Sequence, residues 1–347
     1  MKKMSKIVLV LSLSLVLSII FVGCGEDRPT LNVYNWGDYI DESVIPQFEQ
    51  EFGVKVNYET FATNEDMYQK LKQGGNAYDV AIPSDYMIEK MIKEDMLLKI
   101  DMDNVSNYKY IDERFKGLDF DPNNEYSVPY MWGTVGIIYN TKEVDGKVDS
   151  WDILWDEKYE GEILMLDSQR DSIAVALKKL GYSMNSRDRE ELEEAKQELI
   201  KQKPLVLAYV GDEVKGMMIG EEAKLAVVWS GDAMYMMDEN PNLNYVVPNE
   251  GSNLWFDNMV IPKTSQNKEL AQKFIDFMTR PEIALKNTNY IGYSTTNKET
   301  VTMLDEEIRN SNVAYPEKDI TDNCEVFHDP GDFLKVYDRI WTEVKAH

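Results

Sequence analysis

LNVYNWGDYIDESVIPQFEQEFGVKVNYET, residues 31–60, holds one complete strand-loop-helix-strand unit. Leu31 to Tyr34 reads as a strand running into a loop, and Ser43 to Phe52 as a helix halted by Gly53; Val54, Val56 and Tyr58 then alternate as a second strand. The unit repeats downstream. A helix from Glu65 to Gln73 carries Met67 and Leu71 four apart and ends at Gly74-Gly75, Tyr78 to Ile82 is a short apolar strand, and Ser84 is placed to cap a helix bearing Met87, Ile88, Met91 and Ile92. Such repetition predicts an α/β chain with a mainly parallel sheet covered by helices.

A second set begins with the strand-like run Val135 to Tyr139. Glu162 to Leu166, Leu205 to Tyr209, Leu225 to Val228 and Met259 to Ile261 read as strands, and Ser172 to Leu180, Glu190 to Lys201 and Lys268 to Met278 as helices. There is no internal repeat and no low-complexity linker. About 320 residues after a leader exceed what one core usually serves, so two lobes joined by short crossovers are expected, with a hinge and a cleft between them.

The leader is read from Lys2, Lys3 and Lys6, the apolar stretch Ile7 to Val22, and Gly23-Cys24-Gly25. It is expected to be a lipoprotein signal peptide over 1–23. The apolar run is short for a stable span, and the junction resembles a bacterial lipobox, with Phe21 where Leu is usual; cleavage would leave lipid on Cys24 and anchor the mature chain outside the cytoplasm without spanning the membrane. Cys324 then has no intramolecular partner, so stability rests on the core.

Lys plus Arg number 37 against 62 Asp plus Glu, a formal charge of −25 that becomes about −28 without the leader lysines. Nucleic acid is therefore an unsuitable partner, and a cation a suitable one. Three stretches place an acid just after a tryptophan: Trp36-Gly37-Asp38-Tyr39, Trp229-Ser230-Gly231-Asp232 and Trp255-Phe256-Asp257. An indole face attracts positive charge and packs against methylenes, while a carboxylate gives an ammonium a charge-assisted hydrogen bond, so the combination suits an organic cation. In a chain this acidic such pairs arise by chance roughly one time in four. Trp151-Asp152 and Trp155-Asp156 are read as coincidences that pack a structural corner. Position favours the others: Trp36 to Tyr39, Ser84 with Tyr86, and Trp229 to Asp232 each follow a strand, and in open α/β sheets the carboxyl ends of strands form the ligand crevice.

Paired carboxylates with aromatic platforms also describe a secreted carbohydrate-active enzyme. Against catalysis, the chain has no G-x-S-x-G, P-loop or HExxH, and its only histidines are His328 and His347, so no catalytic residue, metal or cofactor is expected. A binder of anions should show basic residues at strand ends, where Arg170 is the sole candidate.

Seven blocks carry a resemblance across nearly the whole mature chain: YNWGDYI at 34–40, NEDMYQKLK at 64–72, AYDVAIPSDY at 77–86, DPNNEYSVPYMWGT at 121–134, SWDILWDEKYEG at 150–161, WFDNMVIPK at 255–263 and IGYSTTN at 291–297. Together they resemble the spermidine/putrescine-binding proteins of bacterial polyamine ABC transporters. The resemblance implies a type II periplasmic-binding fold of two α/β lobes, lobe one being 30–136 plus 258–303 and lobe two 137–257 plus 304–347. It implies a monomer that captures putrescine or spermidine and delivers it to permease subunits. By the same resemblance Trp36, Tyr39, Ser84, Tyr86, Asp171, Trp229, Trp255, Asp257 and Tyr293 line the cleft. Trp229, Trp255, Tyr39 and Tyr293 would wall the carbon chain, Asp257 and Asp171 would take ammonium groups, and Ser84 and Tyr86 would offer hydroxyls. Asp38 and Asp232 match positions that are acidic in putrescine-preferring relatives and would hold the other terminus. Two departures, Ser168 where spermidine binders tend to have an acid and Phe327 where they have Gln, lead to the expectation that putrescine binds at least as well as spermidine. Other assignments are structural: Ser84 and Asp171 have an alternative at helix starts, Tyr130, Met131 and Trp132 are read as hinge packing with Trp132 also near the cleft rim, and Met234 to Met237 is read as core.

Overall fold

The computed structural model describes residues 28–75 and 77–347, so the leader and Cys24 lie outside the described residues. Among the described residues ten strands are β1 (Thr30–Trp36), β2 (Lys55–Phe61), β3 (Val80–Ala81), β4 (Ser127–Asn140), β5 (Ile163–Leu166), β6 (Val206–Val210), β7 (Leu225–Trp229), β8 (Leu243–Val246), β9 (Leu254–Val260) and β10 (Ser294–Thr295). The opening unit folds as its pattern predicts. Its helix, Val44–Phe52, buries Val44 and Phe48, and Phe48 meets Phe274 and Phe277 of the helix Lys268–Met278 edge-on. Gly53 closes that helix in the left-handed region at φ 66°, where an L side chain would be strained.

Strand direction departs from expectation. β1 pairs in parallel with β2 and β3, and β5 with β6 and β7, but β4 runs antiparallel to β7, β8, β9 and β10, and β3 antiparallel to β9. The sheet is thus mixed rather than mainly parallel. β4 and β9 carry the chain along the sheet in opposite directions, which makes their ladder antiparallel. β4 is the chief crossover. Its first half, Ser127 to Thr134, pairs with β9, and its second half, Val135 to Asn140, pairs with β7 and β8. β4 begins at Ser127 rather than Val135, and β9 at Leu254 rather than Met259. The early part of β4 is buried throughout and so shows no alternation, and Pro129 sits at a register shift, where a missing N–H is tolerated.

Helices cover both faces. The C-terminal helix Leu334–Ala346 packs Tyr337, Ile340 and Val344 against Leu192, Ala195 and Leu199 of the helix Arg189–Gln202. Trp151 is buried, its indole N–H donating to Gly251 O at 3.0 Å, and Trp155 donates to Glu198 O at 2.9 Å, which makes both corner packing as expected. Trp132 is core, not rim: its ring contacts Phe115 and Tyr315, and its N–H donates to Thr295 O. The Met234 to Met237 run is only partly core, because Tyr235 is 51% exposed while Met236 is fully buried, as one face of a helix dictates.

Candidate functional site

The passage of β4 from one half of the sheet to the other sets the site. Gly133 pairs with Trp255 and Val135 with Trp229, so two strands meeting β4 from opposite sides bring the tryptophans to successive same-face positions along it. Gly133 is required there. A Cβ on it would lie 2.6 Å from both Trp255 Cζ2 and Ser230 Oγ, so the indole rests on bare backbone.

Side chains alternate along β9, and Trp255 and Asp257 share a face. Asp257 is only 6% exposed, and both its oxygens are held: Ser84 Oγ donates to Oδ1 at 2.6 Å and the Tyr39 hydroxyl to Oδ2 at 2.7 Å. Burial pushes its carboxyl up to about 6, while the two hydroxyl donors pull the other way. Ser84 stands at the start of the helix Asp85–Lys93 as the sequence suggests, yet makes no cap hydrogen bond; its hydroxyl serves Asp257 and accepts from Asn64 Nδ2 at 3.0 Å. The capping alternative for Ser84 is therefore set aside. Asp85, buried, accepts from the backbone N–H of Phe256 and of Tyr86, which ties that helix to β9 beside Asp257.

Aromatic rings pack around this carboxylate. Tyr293 meets Tyr39 and Trp255 edge-on, with centroids 5.6 and 5.2 Å away, and Tyr39 in turn meets Tyr130. The helix Pro281–Ile291 ends at Gly292 with φ 82°, and the chain then lays the Tyr293 ring on Gly231, where a Cβ would fall 1.3 Å from Tyr293 Cδ1. That contact explains the glycine in Trp229-Ser230-Gly231-Asp232. Asp232 lies in the first turn of the helix Ser230–Glu239, where the helix dipole favours a negative charge. It is buried; burial pushes its carboxyl up to about 6, with Lys215 and the Tyr293 hydroxyl opposing the rise. Two buried acids thus flank one tyrosine.

The remaining predicted residues spread outward. Trp36 is half-buried against Phe61, Trp229 is half-buried at the end of β7, and Asp38 is exposed in a left-handed turn at φ 49°. Tyr86 sits apart from Asp257. Its hydroxyl donates to Glu65 at 3.0 Å and accepts from Asn64 at 3.2 Å, so a polar chain runs from Glu65 through Asn64 and Ser84 to Asp257. Asp171 is buried in the first turn of the helix Gln169–Lys179, bonded to Ser168 Oγ at 2.7 Å and to Asn253 Nδ2 at 3.1 Å. Asn253 and Asp257 are two same-face steps apart, roughly 13 Å of strand, so Asp171 marks a separate end. Of the two departures, Ser168 caps this helix, and Phe327 is buried against Ala174, Met184 and Tyr86 with the Arg170 guanidinium 4.3 Å over its ring. Arg170 donates to His328 O and Asn185 Oδ1, so its charge is engaged within the protein rather than offered to an anion.

Asn64, Glu65, Asp85, Gly133, Gly231 and Lys215 join the site only through the fold. Asn64 and Glu65 lie inside the block at 64–72, Asp85 inside that at 77–86 and Gly133 inside that at 121–134.

The model of the bacterial extracellular solute-binding protein family matches residues 43–315. The chain is 38% identical over 323 residues to the Escherichia coli spermidine/putrescine-binding periplasmic protein, covering 92% of this chain and 93% of that one. Among solved structures, a putative spermidine/putrescine ABC transporter protein of Listeria monocytogenes superposes with TM-score 0.88 at 46% identity, over 91% of this chain and 98% of that one. A Treponema pallidum lipoprotein superposes with TM-score 0.84 at 27% identity, over 92% and 100%. With the two-sided crossover and the acid and aromatic cluster beside it, these similarities place the chain in the bacterial extracellular solute-binding protein family.

Proposed function

We propose that this protein captures polyamines outside the cytoplasm, putrescine at least as well as spermidine, and hands them to the permease subunits of an ABC importer. The observation that carries the reading is Asp257, a buried carboxylate held by two hydroxyls against the rings of Trp255, Tyr39 and Tyr293, with the second buried acid, Asp232, behind Tyr293. Buried ammonium is tolerated only beside a carboxylate, and each methylene moved from water to the aromatic walls adds about 0.8 kcal/mol. The assigned ligand-binding set is Trp36, Asp38, Tyr39, Ser84, Tyr86, Asp171, Trp229, Asp232, Trp255, Asp257 and Tyr293. Closure of two lobes, 30–136 plus 258–303 on 137–257 plus 304–347, would then be the signal the permease reads.

Membership in a solute-binding family sets aside the glycosidase alternative. Putrescine preference is supported by Phe327, a buried ring under the Arg170 guanidinium, which would offer no polar partner to a longer amine. The working form is a monomer anchored through lipid on Cys24, a reading supported by the lipoprotein among the similar structures. Fatty-acid label retained by Cys24→Ala would contradict the anchor. The function is tested by a thermal-shift panel of putrescine, spermidine, spermine, cadaverine, basic amino acids and an oligosaccharide. Stabilisation by the diamines and spermidine is expected; a response to the sugar with none to any amine would overturn the reading, and strong preference for spermidine would overturn the ranking.

The acids also dictate a pH dependence. An ammonium needs Asp257 and Asp232 ionised, and burial pushes both carboxyls up to about 6, so amine affinity should fall between pH 7 and pH 5, by up to about tenfold per pH unit for each carboxylate that must lose its proton. The ligand-free fold should move the opposite way. A carboxyl whose folded pKa is raised binds protons more tightly folded than unfolded, so its destabilising burial is relieved as pH falls from above 6 toward 4. Calorimetry and melting curves at pH 5, 6 and 7.5 would show the opposed trends; affinity independent of pH would contradict ionisation of these acids on binding.

A further inference from the structure

Lys215 lies on the helix Glu213–Ile219, between β6 and β7, and none of the sequence blocks includes it. Its Nζ is 3.6 Å from Asp232 Oδ1 and 3.1 Å from Asp212 Oδ1. The two partners differ in kind. The Asp212 side chain is 75% exposed, so water screens that pair, whereas the Asp232 side chain is 9% exposed and that of Lys215 only 25%. Asp38, in the turn after β1, adds a weaker attraction on the lysine. An ammonium belonging to the protein therefore already sits beside the acid expected to receive an ammonium from the ligand.

We propose that Lys215 is a specificity-determining residue, a tethered competitor whose ammonium shares Asp232 with the second ammonium of a bound diamine and so limits how much affinity that second charge adds. The proposal rests on the polyamine reading and assigns the part of the site that sets the margin between diamines and monoamines. A monoamine anchored at Asp257 does not approach Lys215. A diamine spanning from Asp257 past Tyr293 to Asp232 brings a like charge close to it and must displace the lysine or bind against its repulsion. Lys215 can move. Its stem is partly exposed and its other partner, Asp212, lies on the solvent side, whereas Asp232 is buried in the first turn of its helix.

The test is a calorimetric comparison of putrescine and n-butylamine at pH 8, above the range in which the site's carboxylates take up protons. In Lys215→Gln, and likewise in Lys215→Met, which keeps the apolar stem, putrescine should bind about tenfold more tightly while n-butylamine changes less than twofold. The gain should vanish when Asp232→Asn is added, because the lysine acts through that carboxylate. Val214 and Met218 anchor the helix in the core, so neither variant removes what holds it, and circular dichroism would verify the fold. Unchanged or weaker putrescine binding in both folded variants would overturn the proposal, as would an equal gain for n-butylamine or a gain that survives Asp232→Asn. A wild-type protein that binds neither amine would instead refute the polyamine reading, and the assignment of Lys215 with it.

Discussion

Asp257→Asn should weaken putrescine binding by roughly 10²–10³-fold while leaving the fold as stable as the wild type or more so. The two effects have separate causes. Removing one partner of a buried ion pair costs about 3–5 kcal/mol, and each 1.4 kcal/mol is a factor of ten in affinity. The ligand-free protein loses little, because the amide keeps the shape of the carboxylate and the hydroxyls of Ser84 and Tyr39 rotate to meet it. Burial pushes the Asp257 carboxyl up to about 6, so at neutral pH the wild type bears the cost of a desolvated charge that asparagine removes. Titration calorimetry and thermal melting read the two quantities independently. Near-normal affinity, or a large fall in melting temperature with unchanged affinity, would mean Asp257 is a structural acid.

Trp255→Ala should lower both quantities. The indole is 7% exposed, lies on the bare backbone of Gly133 and meets Tyr293 edge-on, so truncation leaves a cavity worth about 3–5 kcal/mol of stability. Affinity should fall about 10²-fold or more, since the wall against the carbon chain is gone and Tyr293 loses its support. Stability alone cannot account for such a loss, and a second tryptophan provides the comparison. Trp155 packs a corner and donates to Glu198 O, so Trp155→Ala should cost stability but leave putrescine affinity within about twofold of wild type. Equal losses of affinity in the two variants would point to general loosening rather than to a ligand wall.

The contrast between Trp255 and Trp155 marks what was legible in the sequence. Local pattern identified the opening strand-helix-strand unit, because the alternation of Val54, Val56 and Tyr58 and the stop at Gly53 depend on neighbouring residues alone. Strand direction was not legible: the antiparallel course of β4 and β9 is set by pairing across more than a hundred residues, and the buried first half of β4 carries no alternation to reveal it. The same distinction holds in the site. Trp229 and Trp255 are legible because an acid follows each within three residues, and Trp229 also closes a strand. Gly231 and Lys215 stand out through contacts that only the fold creates, with Tyr293 in one case and Asp232 in the other. Ser84 shows the opposite hazard. Its position is that of a helix cap, which local reasoning offers as a complete explanation, while its hydroxyl is committed to an acid distant in sequence.

Central to this account is that two charges at a fixed separation, not one amine on an acidic surface, are recognised by Asp257 and Asp232 with aromatic walls between them. Titration of the wild-type protein with putrescine and with n-butylamine, which share a four-carbon chain and differ by one ammonium, measures that directly. One saturable putrescine site, at least about 100-fold tighter than n-butylamine, is the predicted result. Equal affinity for the two amines, or no heat of binding for either, would contradict it.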